Sequence, residues 1–222
     1  MSAFAAIIER DITLAFRAGG GALQAVTFFA LTAVVFSFAI GPDIPLLSKL
    51  AGPVLWTGAL LSTLVSLDRV FQADYEDGSL DVIVETSPVL ELSVLAKVVA
   101  HWFSTCLPLI VATPILGILL NLEPVAYAPV ILSLLVGTPA LALLGAFAAA
   151  LAVSMRRANV LVSIIVGPLY APALIFGVGA AQAGALSEPH FAPNLMLAGA
   201  VTLFSLIIAP FAAAAALRAN LS

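Results

Sequence analysis

The stretch EPVAYAPVILSLLVGTPALALLGAFAAALAVSMR, residues 123–156, holds 32 consecutive uncharged residues between Glu123 and Arg156. Crossing the hydrocarbon core of a bilayer takes about 20 mostly apolar residues as α-helix, which satisfies its own backbone polar groups. Five more gaps of this kind punctuate the chain: 25 residues between Arg17 and Asp43, 18 between Lys49 and Asp68, and 25 between Lys97 and Glu123. Another 30 lie between Arg157 and Glu188, and 29 between Glu188 and Arg218. Six gaps predict six transmembrane helices, near 22–41, 51–67, 95–120, 125–153, 158–182 and 193–217.

Composition agrees with an all-α integral membrane protein. The chain is 63% hydrophobic and 9% charged, where soluble domains carry about a quarter charged residues. The alternating segments of about 10 residues that build a membrane β-barrel are absent. The polar interruptions are too short for a separate soluble domain, so residues 1–222 read as one membrane domain. A net charge of −4 with no dense basic patch excludes a nucleic-acid partner. The single cysteine, Cys106, excludes an internal disulfide and a CxxC metal or redox pair. Glu9, Arg10 and Asp11 precede a long apolar run, which is not the layout of a secretory signal peptide.

Six spans place both termini on one side, together with the loops near 68–94 and 154–157. That side receives Arg10, Arg17, Arg69, Lys97, Arg156, Arg157 and Arg218, and the other only Lys49. The excess of Lys and Arg in cytoplasmic loops predicts that both termini are cytoplasmic. Residues 3–17 predict an amphipathic helix in the membrane surface: Phe4, Ile8, Ile12, Ala15 and Phe16 share an arc, with Arg10 and Arg17 opposite and Asp11 at the margin. Gly19, Gly20 and Gly21 would permit the turn into the first span.

Against this background DRVFQADYEDGSLDVIVETSP, residues 68–88, stands out, because it carries half of the acidic residues. Asp77, Gly78 and Ser79 signal a turn and a helix start, with Ser79 as cap and Asp81 in the first turn, where the helix dipole favours an anion. Leu80, Ile83 and Val84 share one face, Asp81 and Glu85 another, and Pro88 ends the helix after about two turns. Such a helix is too short to stand alone and must lean on the membrane face or on a partner. Two readings fit: a solvated loop held off anionic lipid, or a docking helix for a cytoplasmic protein. A calcium loop does not fit, since no 12-residue ligand pattern follows Asp74, Glu76 and Asp77.

The segment YEDGSLDVIVETSP resembles the stretch between the second and third spans of ABC-2 type transporter permeases. RDITLAFRAGG at 10–20, LLSTLVSLDRVFQADYEDGSLD at 60–81, VLAKVVAHW at 94–102 and PLYAPALIFGVGA at 168–180 together resemble the haem exporter protein B (CcmB) family. That family is the permease subunit of the bacterial cytochrome c maturation system, and the likeness covers nearly the whole chain. The resemblance implies a coupling helix that docks on a cytoplasmic ABC ATPase, built from Glu76, Asp77, Gly78, Ser79, Leu80, Asp81 and Glu85, with Arg69 and Lys97 at its flanks. It implies further partners, a haem-handling membrane protein and a small single-span subunit, with a second copy of the chain, in the bacterial inner membrane. ATP would be hydrolysed by the partner, for haem export or release of a haem-loaded chaperone; the chain has no G-x-x-x-x-G-K-[ST] of its own.

Other classes fit less well. An export permease for another hydrophobic or lipid-linked substrate, or a non-transporting scaffold for maturation factors, remains as an alternative. No charge is expected at bilayer depth, which disfavours an ion-coupled transporter, and HExxH and GxSxG are absent. His101 and His190 are the only candidate iron ligands, and neither carries a partner motif. The tryptophan-rich WxWD segment of haem-handling proteins is missing; Trp56 and Trp102 are the only tryptophans. His101 reads as an interfacial hydrogen-bonding residue and His190 as a loop residue. Gly137, Gly145, Gly177 and Gly184 suit close helix contact. Pro108, Pro114, Pro129, Pro139, Pro168, Pro172 and Pro210 are expected to kink spans three to six, with ordinary packing or a re-entrant segment as readings of 168–190.

Overall fold

A computed structural model describes residues 3–17, 21–154 and 158–221. Gly19, Gly20, Arg156 and Arg157 lie outside the described residues. Helix α1 (Ala3–Arg17) is followed by α2 (Gly21–Ile40) and α3 (Ile44–Ser66), and then by two short helices, α4 (Gln72–Glu76) and α5 (Ser79–Thr86). The third long element joins α6 (Leu90–His101) to α7 (Leu107–Leu119) through a π-helical turn at Trp102–Cys106. Then come α8 (Tyr127–Ala152), α9 (Ala158–Ala185) and α10 (Phe191–Leu221). Among the described residues there are no strands.

Six helices are long and apolar enough to cross a membrane: Ala22–Ile40, Ile44–Ser66, Leu90–Leu119, Pro124–Ala152, Ile164–Ala185 and Phe191–Asn220. The count matches the charge-free gaps, but two spans begin earlier than the gaps indicate. Span two starts at Ile44 because the Asp43 side chain caps it, accepting from Leu46 N at 3.0 Å. Span three starts at Leu90 and so takes Glu91 into the helix as well as the expected Lys97.

Helix α8 forms the centre and packs against α9, α10 and α3. Of its apolar stretch 61% is buried, against 22% for Ala22–Ile40. A helix that is apolar all round belongs inside a bundle, and the buried alanines of α8 let its neighbours approach closely. Of the four glycines expected at close helix contacts, Gly184 lies against Pro129 and Phe191, while Gly137, Gly145 and Gly177 receive large side chains of neighbouring helices. A Cβ at Gly137 or Gly177 would overlap the Trp56 indole, and one at Gly145 would overlap Leu67 and the Tyr170 hydroxyl. Trp56, wholly buried, donates from Nε1 to Ser133 Oγ at 2.9 Å, and Tyr170 donates to the Leu141 carbonyl at 2.7 Å. Each buried donor is thus satisfied within its slot.

The prolines act less uniformly than expected. Pro129 is the third residue of α8, where a missing N–H breaks nothing. Helices run on through Pro53, Pro114, Pro139, Pro168, Pro172 and Pro210. Because α9 is one continuous helix, the re-entrant reading of 168–190 is overturned up to Ala185. The irregularity that does occur precedes Pro108. Its ring would collide with the Ser104 carbonyl in a regular helix, and the chain widens to a π turn in which Leu107 N bonds Trp102 O.

Candidate coupling site

The acidic segment folds back on the ends of the long helices. After α3 a 3-10 turn at Leu67–Arg69 leads into α4, and Gly78 then reverses the chain with φ of 77°, a left-handed conformation natural to glycine. Ser79 does not cap α5 as expected; the cap position is Gly78, without a side-chain bond. Asp77 Oδ1 accepts from Ser79 N at 2.8 Å instead, which frees the Ser79 hydroxyl to donate to Asp74 Oδ1 at 3.0 Å. Hydrogen bonding to Ser79 holds the Asp77 carboxyl below its ordinary value.

Helix α5 leans on this chain through its inward face. Leu80 is fully buried with Val70, Phe71, Leu90 and Val94 in a cluster that includes Ala213 and Leu217 of α10. Ile83 and Val84 pack at its edge. Exposed on α5 and the turn before it are Glu76, Asp77, Gly78, Asp81, Val82, Glu85 and Thr86, a mainly acidic face with one valine in it. Val82 is absent from the residues the sequence singles out, because the i, i+3, i+4 pattern assigns apolar residues inward. Arg69 is exposed and donates to Gln24 Oε1 at 2.8 Å, which ties the loop to α2.

Beneath the loop lies an ion cluster that the sequence did not reveal. Lys97 of α6, 5% exposed, pairs with Asp11 of α1 at 2.8 Å and with Asp74 of α4. Arg10 closes the ring on the same two carboxylates, at 2.7 Å to Asp11 and 3.1 Å to Asp74. Two cations face two anions, so the group is neutral as buried charge requires. Arg10 therefore does not face lipid or water alone, as the amphipathic pattern of α1 suggests, and Asp11 at the margin of that pattern is a core partner. Through Asp74 and Ser79 the cluster connects α1, α6 and the start of α5.

Next to the cluster is a cavity of about 210 Å³, lined by Asp11, Arg69, Asp74, Lys97, His101 and Ser104 among others. His101 is buried, with Ser66 Oγ 3.5 Å from Nε2. His190 is at the opposite end of the bundle, beside a second cavity. The described residues contain no group of three or more His, Cys, Asp or Glu placed to hold a metal ion.

Six apolar spans, with a short acidic helix seated on their ends, define a multi-pass α-helical membrane protein. Residues 2–220 match the family described as CcmB protein. The chain is 52% identical to heme exporter protein B of Bradyrhizobium diazoefficiens over the whole of both chains. It is 49% identical to heme exporter protein B of Paracoccus denitrificans, covering 97% of this chain and 99% of that one. With heme exporter protein B of Escherichia coli K12 the identity is 38%, with 97% of each chain covered. The chain belongs to the CcmB protein family.

Proposed function

We propose that this chain is the permease subunit of an ABC complex for c-type cytochrome biogenesis in the bacterial inner membrane, with both termini and the acidic loop in the cytoplasm. A separate ATPase subunit docks on α5 through Glu76, Asp77, Asp81 and Glu85, with Val82 as an apolar contact among them. The observation that carries this reading is the construction of α5: its inward face is anchored by Leu80, its outward face is free and acidic, and its first residue is hydrogen-bonded to a buried ion cluster. A displacement of α5 by the ATPase would pass through Ser79 and Asp74 to Lys97, and so to the third span. Haem is cargo of the complex, exported or released with its chaperone, and no axial ligand is assigned to this chain. A haem-handling membrane protein, a small single-span subunit and a second copy of this chain complete the assembly.

Replacement of Asp81 and Glu85 by Lys tests the docking face: recovery of the ATPase with the solubilised permease should fall while the variant still inserts. Equal recovery refutes the reading. Deleting the gene and staining gels for haem peroxidase tests the process, with loss of c-type haem restored by a plasmid copy. Normal c-type cytochromes in a host without a second maturation system would favour an export permease for another substrate. Normal maturation with an ATPase unable to hydrolyse ATP would favour a scaffold.

A further inference from the structure

The end of the bundle remote from α5 contains a cavity of about 820 Å³ between the first turns of α3, the α7–α8 connection, the last turns of α9 and the start of α10. Its floor is apolar, with Gly52, Ala126, Val130 and Ala181, and its rim carries Lys49, Glu123, Gln182, Glu188, His190 and Asn194. This volume and this mixture, a largely apolar wall with a few polar groups, are those of a small-molecule site.

None of the rim charges is used by the fold. Among the described residues Lys49, Glu123 and Glu188 form no ion pair, although all three line one cavity. Asn194 lies flat against the bare Cα of Gly179, where a Cβ would come within 3.1 Å of its amide. Lys49 is five residues into α3, about 8 Å from the helix start. The rim therefore lies at headgroup depth, and the floor extends toward the acyl region.

We propose that this cavity binds one membrane phospholipid whose zwitterionic headgroup ends in a primary ammonium. The phosphate meets Lys49 and the N–H donors of Asn194 and Gln182, the ammonium donates to Glu123 and Glu188, and the first acyl carbons cover the apolar floor. One cation with two carboxylates complements this head better than a purely anionic head, which would leave both glutamates facing like charge. A quaternary ammonium has no N–H to give the carboxylates. The inference does not rest on the coupling role of α5.

The test uses the full chain purified in mild detergent, with phosphatidylethanolamine, phosphatidylglycerol or phosphatidylcholine added and retained lipid counted by native mass spectrometry. One phosphatidylethanolamine should remain bound in preference to the other two. Lys49→Ala and Glu188→Gln, both at exposed positions, should each weaken its retention about tenfold, as expected for one charge-assisted bond. Arg218→Ala, at the other end of the bundle, should leave it unchanged. Equal retention of the three lipids, preference for phosphatidylglycerol, or undiminished retention by both rim variants would overturn the proposal.

Discussion

Replacing Lys97 by Met gives the sharpest test of the ion cluster. The wild-type group has two cations, Arg10 and Lys97, and two anions, Asp11 and Asp74, and is neutral. Lys97→Met removes one cation and leaves a net charge of −1 on side chains that are mostly buried. Breaking a buried pair by deleting one partner costs about 3–5 kcal/mol. Arg10 still reaches both carboxylates, but it is partly exposed and its contribution is screened. The lower figure, about 3 kcal/mol, is therefore expected, or a drop in Tm of about 6–12 °C for a chain of this size. Thermal unfolding of the detergent-solubilised protein, followed by size-exclusion fluorescence, measures it. The double variant Lys97→Met with Asp74→Leu restores neutrality, with Arg10 and Asp11 still paired, and should recover most of the loss. A single variant within 2 °C of wild type, on the scale of about 1 kcal/mol or less, would refute the reasoning. So would a double variant as unstable as the single one.

Other outcomes follow from the same geometry. Gly177→Leu places a side chain where the Trp56 indole lies, so the variant should fail to accumulate in the membrane; Trp56→Phe should accumulate but lose about 2–3 kcal/mol, from the Ser133 bond and from the space left at the Gly137 and Gly177 slots. Glu91→Gln, which breaks the half-exposed pair with Arg218 at 3.0 Å, should cost about 1 kcal/mol or less. Val82→Asp should leave Tm unchanged, because the residue is exposed, while reducing ATPase recovery. The Asp77 carboxyl is held below its ordinary value of 3.8, so its support of the α5 turn is complete above that value and is lost as pH falls through the lower one. Hydrogen exchange at Ser79 N should therefore stay slow down to about pH 4 in the wild type, and Asp77→Ala should exchange fast at every pH.

The spans were legible because hydrocarbon tolerates so few charges that their gaps alone outline the helices. Helix α5 was legible for local reasons: a glycine able to reverse the chain, a start signal and a proline stop lie within 12 residues of one another, from Asp77 to Pro88. The ion cluster was not legible, because Asp11 and Lys97 are 86 residues apart and neither shows its partner in any local pattern. Asp11 did leave a trace as a charge at the edge of an otherwise clean amphipathic helix. The glycines stand out in the sequence but their neighbours do not, since a slot for Trp56 and a seat for another helix look alike there. The sequence points to Ser79 as the cap because a hydroxyl is a good cap in isolation; Asp74, five residues earlier, takes that hydroxyl in the folded chain.

The π turn at Trp102–Cys106 has a consequence for how the third span can change. A turn closed from residue i to i+5 contains one residue more than an α-helical turn, and each residue of α-helix advances the facing direction by about 100°. The faces of α6 and α7 are thus out of phase by one residue: Lys97 turns into the bundle, while Val111, Ile115 and Ile118 turn outward. Removing one residue from 102–106 would return the turn to regular α-helix and leave the residues beyond it facing as they do now, with Leu109 and Thr113 still packed inside. The same deletion in the regular helix on either side would instead turn everything beyond it by about 100°, moving the inward row off the core. The span is in effect two helices spliced at an adjustable joint, and its tolerance of length change is confined to those five positions.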